Sequence, residues 1–130
     1  VINENDSVSV DEIKIGDNDT LAALTATLWN ADLMIILSDI DGVFDSDPKS
    51  NSNAKLIETV GNAEKLFGSI DIGGTSSFGT GGISSKIEAA AKVNQYGIPM
   101  ILLNGKKTDI IRNCITGTSK GTLFTGRIEK

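Results

Sequence analysis

Leu33-Met34-Ile35-Ile36-Leu37 and Ile98-Pro99-Met100-Ile101-Leu102-Leu103 are two short, continuously apolar runs, and reading them decides the fold. Periodicity alone does not separate such a run from a buried helix, so length and flanking residues arbitrate. Both runs are too short for a helix. The first follows a helical pattern and the second follows Gly97. Strands apolar at every position are buried on both faces, which is the habit of parallel strands with helices on either side. The expected class is therefore α/β: a mainly parallel sheet with helices on both faces.

Working outward from these runs, Asp17-Asn18-Asp19-Thr20 offers N-cap residues for a helix beginning near Asp19. Its apolar stripe is Leu21, Leu24 and Leu28, with Ala22 and Ala23 beside it and Thr25 as a polar interruption. Trp29 ends that helix and reads as packing. A second helix runs from about Gly82 to Tyr96, with Ile83, Ile87, Ala90 and Ala91 on one face and Gly97 as its stop. Ala54 to Val60 reads as a short strand and Ala63 to Phe67 as a short helix. Thr108 caps a helix to Cys114, whose thiol sits among isoleucines and reads as core. Thr122-Leu123-Phe124 is a last strand. At the front, Val1-Ile2 reads as the end of a buried strand, and residues 8–15 as a hairpin or edge strand. No internal repeat or interdomain linker breaks the chain. Because it opens on Val1 in what reads as a strand already under way, a fragment of a longer protein is expected.

Composition narrows the function. The 130 residues carry a net charge of −5, 39% hydrophobic and 22% charged residues, ordinary for one soluble globular domain. The negative charge argues against non-specific nucleic-acid binding. With 5% aromatics, stacking platforms for single strands are not expected either. The absence of His removes Ser-His-Asp and Cys-His catalysis, and with one Cys it removes the usual zinc sites. Cys114 has no internal disulfide partner, which fits a reducing cytoplasm. No apolar run approaches a membrane span and no signal peptide is visible.

Three polar clusters remain. Asn3-Glu4-Asn5-Asp6 and Lys14-Ile15-Gly16-Asp17-Asn18-Asp19 flank a short alternating run. Pairing there makes a rim of carboxylates and amides suited to a small zwitterion; one cluster alone reads first as a solvated acidic loop, since surface loops are usually polar. Gly79-Thr80-Gly81-Gly82-Ile83-Ser84-Ser85-Lys86 is Gly-rich and opens a helix. Helix N–H groups, two hydroxyls and a Lys in the first turns suit a phosphate. It is neither a Walker A loop, since the Lys does not directly follow the last Gly, nor a Rossmann fingerprint; a flexible loop with a surface Lys is the plain alternative. Asp39-Ile40-Asp41-Gly42 resembles the start of a calcium loop but lacks the later ligands. In parallel α/β sheets ligands bind beyond the C-terminal ends of strands. Asn3 to Asp6, Ser38-Asp39 and Asn104-Gly105-Lys106 are expected to converge there.

Together, in this order and spacing, Ile2 to Asp6, Lys14 to Asp19, Leu37-Ser38-Asp39, Asp47-Pro48-Lys49-Ser50, Gly79 to Lys86 and Gly121-Thr122-Leu123-Phe124 resemble the glutamate 5-kinase branch of the amino acid kinase family. The resemblance spans nearly the whole chain and makes residues 1–130 the C-terminal portion of such a kinase domain, its nucleotide-binding half plus part of the glutamate site. It implies ATP-dependent phosphorylation of the L-glutamate side-chain carboxylate to γ-glutamyl phosphate, the first step of proline biosynthesis. By motif match, Asp6 and Asn18 would bind glutamate. Ser38, Asp39, Thr80, Gly81, Gly82, Ile83, Ser84, Ser85 and Lys86 would bind nucleotide. Asp19 would orient the catalytic lysines and Lys86 would neutralise the transferring phosphoryl group, with Mg²⁺ entering on ATP and no metal ligand in the chain. Proline as feedback inhibitor, a homo-oligomeric parent and a cytoplasmic location are further implications. The family's opening strand, Gly-rich turn and second catalytic Lys have no counterpart after Val1. Ser38 stands where Thr is usual, and Ile83-Ser84-Ser85 where Met-Ser/Ala-Thr is usual. The alternatives are a non-catalytic nucleotide- and amino-acid-binding fragment, or a related kinase with another substrate.

Overall fold

The computed structural model describes residues 18–73 and 82–125. The strand expected at Val1-Ile2 and the hairpin over 8–15 lie outside them. Along the chain run α1 (Asn18–Leu28), β1 (Met34–Ser38), β2 (Val43–Phe44), β3 (Leu56–Ile57), β4 (Thr59–Val60), α2 (Ala63–Gly73), α3 (Gly82–Asn94), β5 (Met100–Asn104), α4 (Ile110–Ile115) and β6 (Thr122–Phe124). The main sheet has the order β1-β5-β6-β4. The two apolar runs pair in parallel, from Met34↔Met100 to Ser38↔Asn104. β4 and β6 are also parallel, while β5 and β6 are antiparallel. The sheet is thus mainly parallel, as expected, with one reversed neighbour. The strand expected from Ala54 to Val60 divides: β3 pairs antiparallel with β2 in a separate ribbon, and β4 joins the main sheet.

Met34, Ile36, Met100, Leu102 and Phe124 share one buried cluster with Ile83, Ile87, Ala90 and Val93 of α3. α3 is the central helix and packs on α1, α2 and β5. Its buried residues include Ala89, Ala90 and Ala91, and those of α1 are Ala23 and Ala26. Small side chains on both helices let the backbones approach closely. That corrects the expected apolar stripe of α1: Leu24 is 44% exposed and Leu28 84% exposed. The face is chosen by the alanine surface of its partner, not by the largest side chains. Trp29, expected to pack, is 79% exposed. Thr25 interrupts little, because its hydroxyl donates back to the Leu21 carbonyl at 2.8 Å.

Helices α1 and α3 stop by the same device. At α3, Gly97 takes φ +76°, its N–H donates to Asn94 O, and Ile98 N–H donates to Val93 O. At α1, Asn30 takes φ +53°, with Asn30 N–H on Thr27 O and Ala31 N–H on Ala26 O. These are paired left-handed C-terminal motifs, the second using Asn instead of Gly. α4 departs from expectation. Its N-cap is Asp109, in the left-handed region with no side-chain cap bond, not Thr108. Ile110 is buried, but Ile111 and Ile115 are exposed and Cys114 is only half-buried. One turn and a half of helix buries a single edge, so the thiol is not a core group.

The buried Thr122 joins the ribbon to the sheet. Its Oγ1 accepts the Val43 N–H at 2.9 Å and donates to the Ile57 carbonyl at 2.7 Å. Thr122→Val would leave both groups without that partner, costing about 1–3 kcal/mol. Thermal unfolding of the full-length protein should show a midpoint lower by several degrees, with Thr122→Ser close to wild type; equal midpoints for Val and wild type would refute the tie.

Candidate functional site

α1 leads into β1 and α3 into β5 through short turns. Each helix lies back along the sheet, so both N-termini come to the edge where β1 and β5 end. Asp19 stands in the first turn of α1, and Ser85 and Lys86 in the first turns of α3. Asp19 Oδ2 accepts from Lys86 Nζ at 3.1 Å and from Ser85 Oγ at 2.8 Å. The Ser85 hydroxyl also lies 3.0 Å from Gly82 O. The Lys86 and Asp19 side chains are only 17% and 19% exposed. A cation near a helix N-terminus opposes the helix dipole, and the Asp19 carboxylate offsets that. The arrangement holds an ammonium, partly shielded from water, at two helix starts. An anion reaching that edge meets both the ammonium and the helix dipoles.

The second part of the edge is the turn after β1. Ser38 is half-buried and Asp39 exposed; Ser38 Oγ donates to Asp39 Oδ1 at 3.3 Å. The turn after β5 sits beside it, as the sequence suggested: Gly105 N–H donates to Ser38 O at 2.8 Å. A Cβ on Gly105 would lie 3.0 Å from Leu37 Cβ, so this approach favours a Gly.

Of the remaining expected residues, Asn18 opens α1 and is exposed, Gly82 is exposed and Ser84 half-buried. Ile83 is 3% exposed within the core, so its side chain packs and only its backbone is available to a ligand. Asp6, Thr80 and Gly81 lie outside the described residues. Sequence reading missed one cluster. Asp41 Oδ1 accepts from Asn104 Nδ2 at 3.0 Å and from Lys107 Nζ at 2.9 Å. The hydrogen bond from Lys107, then that from Asn104, holds the Asp41 carboxyl below its ordinary value of 3.8. The available signal was Asn104-Gly105 at a strand end; Lys107 carried none. Among the described residues no group of three or more His, Cys, Asp or Glu could hold a metal ion. No helix among them is long and apolar enough to cross a membrane.

The sequence profile of the amino acid kinase family matches residues 1–104. The chain belongs to the amino acid kinase family. It is 59% identical over 124 residues to a glutamate 5-kinase of Alkaliphilus metalliredigens, covering 95% of this chain and 47% of that protein. It is 48% identical to a glutamate 5-kinase of Clostridium acetobutylicum, with 95% and 46% covered. The chain thus spans about half the length of these curated relatives. Among solved structures, UMP kinase from Bacillus anthracis superposes with a TM-score of 0.62 at 20% identity, covering 91% of this chain and 44% of that one. Isopentenyl phosphate kinase of T. acidophilum does so with 0.59 at 24% identity, covering 83% and 39%. At such identity they speak for the amino acid kinase fold alone.

Proposed function

We propose that the protein carrying this chain transfers the γ-phosphoryl group of ATP to the side-chain carboxylate of L-glutamate, giving γ-glutamyl phosphate for proline biosynthesis. The observation that carries the reading is the Asp19–Lys86–Ser85 cluster at two helix N-termini, in a chain 59% identical to a glutamate 5-kinase. The acceptor is already a carboxylate nucleophile, so no strong general base is needed. Phosphoryl transfer rests on positioning and charge neutralisation. In this reading Lys86 neutralises charge on the transferring group and Asp19 fixes the ammonium in place. Ser38, Asp39 and the segment Thr80 to Lys86 hold the nucleotide, and Asp6 and Asn18 hold glutamate. Mg²⁺ would arrive on the nucleotide phosphates, as is usual for an ion bound mainly by substrate oxygens and water. Residues 1–130 then form the C-terminal portion of the kinase domain. A cytoplasmic enzyme, a homo-oligomer and proline feedback belong to the same proposal.

The test is ADP release by the full-length protein with L-glutamate, UMP, carbamate or N-acetylglutamate as acceptor, with the acyl phosphate trapped by hydroxylamine. Glutamate-dependent ADP and hydroxamate are expected. Turnover of another acceptor in preference would overturn the substrate assignment. Within this reading, Asp6→Asn and Asn18→Asp should weaken glutamate binding by about 1.5–3 kcal/mol, the worth of a charge-assisted hydrogen bond. ATP binding should be unchanged. Separate titrations decide; a defect confined to ATP would move both residues to the other pocket.

A further inference from the structure

We infer that Asp41 is a positioning residue for nucleotide: clamped by Lys107 and Asn104, it holds the turn from Ser38 to Gly42 in the shape that receives ATP. The inference rests on the proposed nucleotide role of Ser38 and Asp39.

Four ties converge on this turn. Gly105 N–H donates to Ser38 O at its start. Asn104 Nδ2 and Lys107 Nζ both reach Asp41 Oδ1, at 3.0 and 2.9 Å. Asn104 in turn is oriented by its Oδ1, which accepts the Lys106 N–H at 3.0 Å. At the far end Gly42, with φ +155°, lies so close to β6 that a Cβ would fall 2.5 Å from Thr122 Oγ1, and Val43 N–H donates to that same oxygen. The strand end, the middle and the exit of the turn are each fixed to a different neighbour. Only the middle tie uses side chains that global stability does not need. The Lys107 and Asp41 side chains are 55% and 42% exposed, and ion pairs so exposed contribute little to folding. What Asp41 supplies is the shape of the turn that carries Ser38 and Asp39. It presents one oxygen to two donors from the β5–α4 turn, and so couples the ends of β1 and β5 at the ligand edge. Without the clamp the turn samples other shapes, and nucleotide affinity falls by the fraction of time the competent shape is kept.

The test uses the full-length protein and the variants Asp41→Ala, Asp41→Asn, Lys107→Met and Asp41→Ala/Lys107→Met. Lys120→Met, which breaks the exposed Lys120–Glu58 pair elsewhere on the sheet, is the control. Asp41→Ala is expected to raise KM for ATP about tenfold, as a turn competent one-tenth of the time would. The values of kcat, KM for glutamate and the unfolding midpoint should stay near wild type. Asp41→Asn, which keeps an acceptor for Asn104, should fall between. The double variant should be no worse than Asp41→Ala, because the second change removes a tie already lost. Amide exchange across 38–42 without nucleotide should quicken in Asp41→Ala and not in Lys120→Met. An unchanged KM for ATP, an equal effect of Lys120→Met, or a loss in kcat alone overturns the inference. If the wild-type protein does not use ATP, the functional reading falls, and exchange alone decides the clamp: unchanged exchange refutes it, faster exchange sustains it.

Discussion

Lys86→Ala in the full-length protein should cut turnover by at least about 10²–10³-fold, the cost of losing one preorganised charge-stabilising group in a water-poor site. It should barely move the unfolding midpoint. The two halves of that expectation come from the same geometry. The Lys86 side chain is 17% exposed and its ammonium lies 3.1 Å from Asp19 Oδ2, where developing phosphoryl charge would meet a fixed, partly desolvated cation. Removing it does not orphan Asp19. That carboxylate keeps the Ser85 hydroxyl at 2.8 Å and its place in the first turn of α1, where a negative charge is favoured by the dipole. The cation, by contrast, sits at the wrong end of α3 for helix stability, so its loss costs the fold little. Lys86→Arg keeps the charge but not the point-like ammonium and should restore only part of the rate. The measurement is rate against thermal midpoint for each variant. Full activity in Lys86→Ala would remove the cluster from the chemistry, and a collapse of the midpoint with the rate would make it structural.

What sequence alone made legible follows from what is local. β1 and β5 were readable because a fully apolar short run has few other homes, and Gly97 because only a left-handed residue stops α3 that way. The candidate segments Ser38-Asp39 and Asn104-Gly105 were singled out by the rule that places ligands beyond strand ends, and their adjacency in register is observed. What failed depended on partners far along the chain. The buried face of α1 was set by alanines on α3, so its leucines pointed elsewhere. The expectation of a mainly parallel sheet did not say which neighbour would be reversed; it is β6 beside β5, joined to it through α4. Asp41 looked like a fragment of a calcium loop because its partners, Asn104 and Lys107, are joined to it only through folding. The pairing of Asp19 with Lys86 was expected from family resemblance, since no spacing rule links residues on different helices.

On its own, the 130-residue chain should turn over no glutamate and should self-associate. β1 reads as a strand buried on both faces, yet among the described residues it stands at one end of the sheet, with Leu33 40% and Leu37 50% exposed. Beside it α1 presents Leu28 at 84% and Trp29 at 79% exposure, above a groove of about 640 Å³ lined by Leu21, Ala22, Trp29, Leu33 and Ile35. Apolar side chains grouped in this way mark a surface meant to be covered. The relatives are about twice as long as this chain, so the remaining portion of such a kinase is the natural cover. It would also bring the second lysine that the family resemblance implies, and phosphoryl transfer rests on positioning and charge neutralisation. Trp29 is the sole Trp and therefore a built-in reporter. In dilute isolated chain its emission should be that of a water-exposed indole, shifting to shorter wavelength as mass rises with concentration. Adding the complementary portion of the kinase should produce the same shift at constant low concentration, suppress self-association and restore ADP release. Robust turnover by the chain alone at monomeric mass, or a Trp29 emission indifferent to the added portion, would mean that this face is finished as it stands and that the site needs nothing from beyond it.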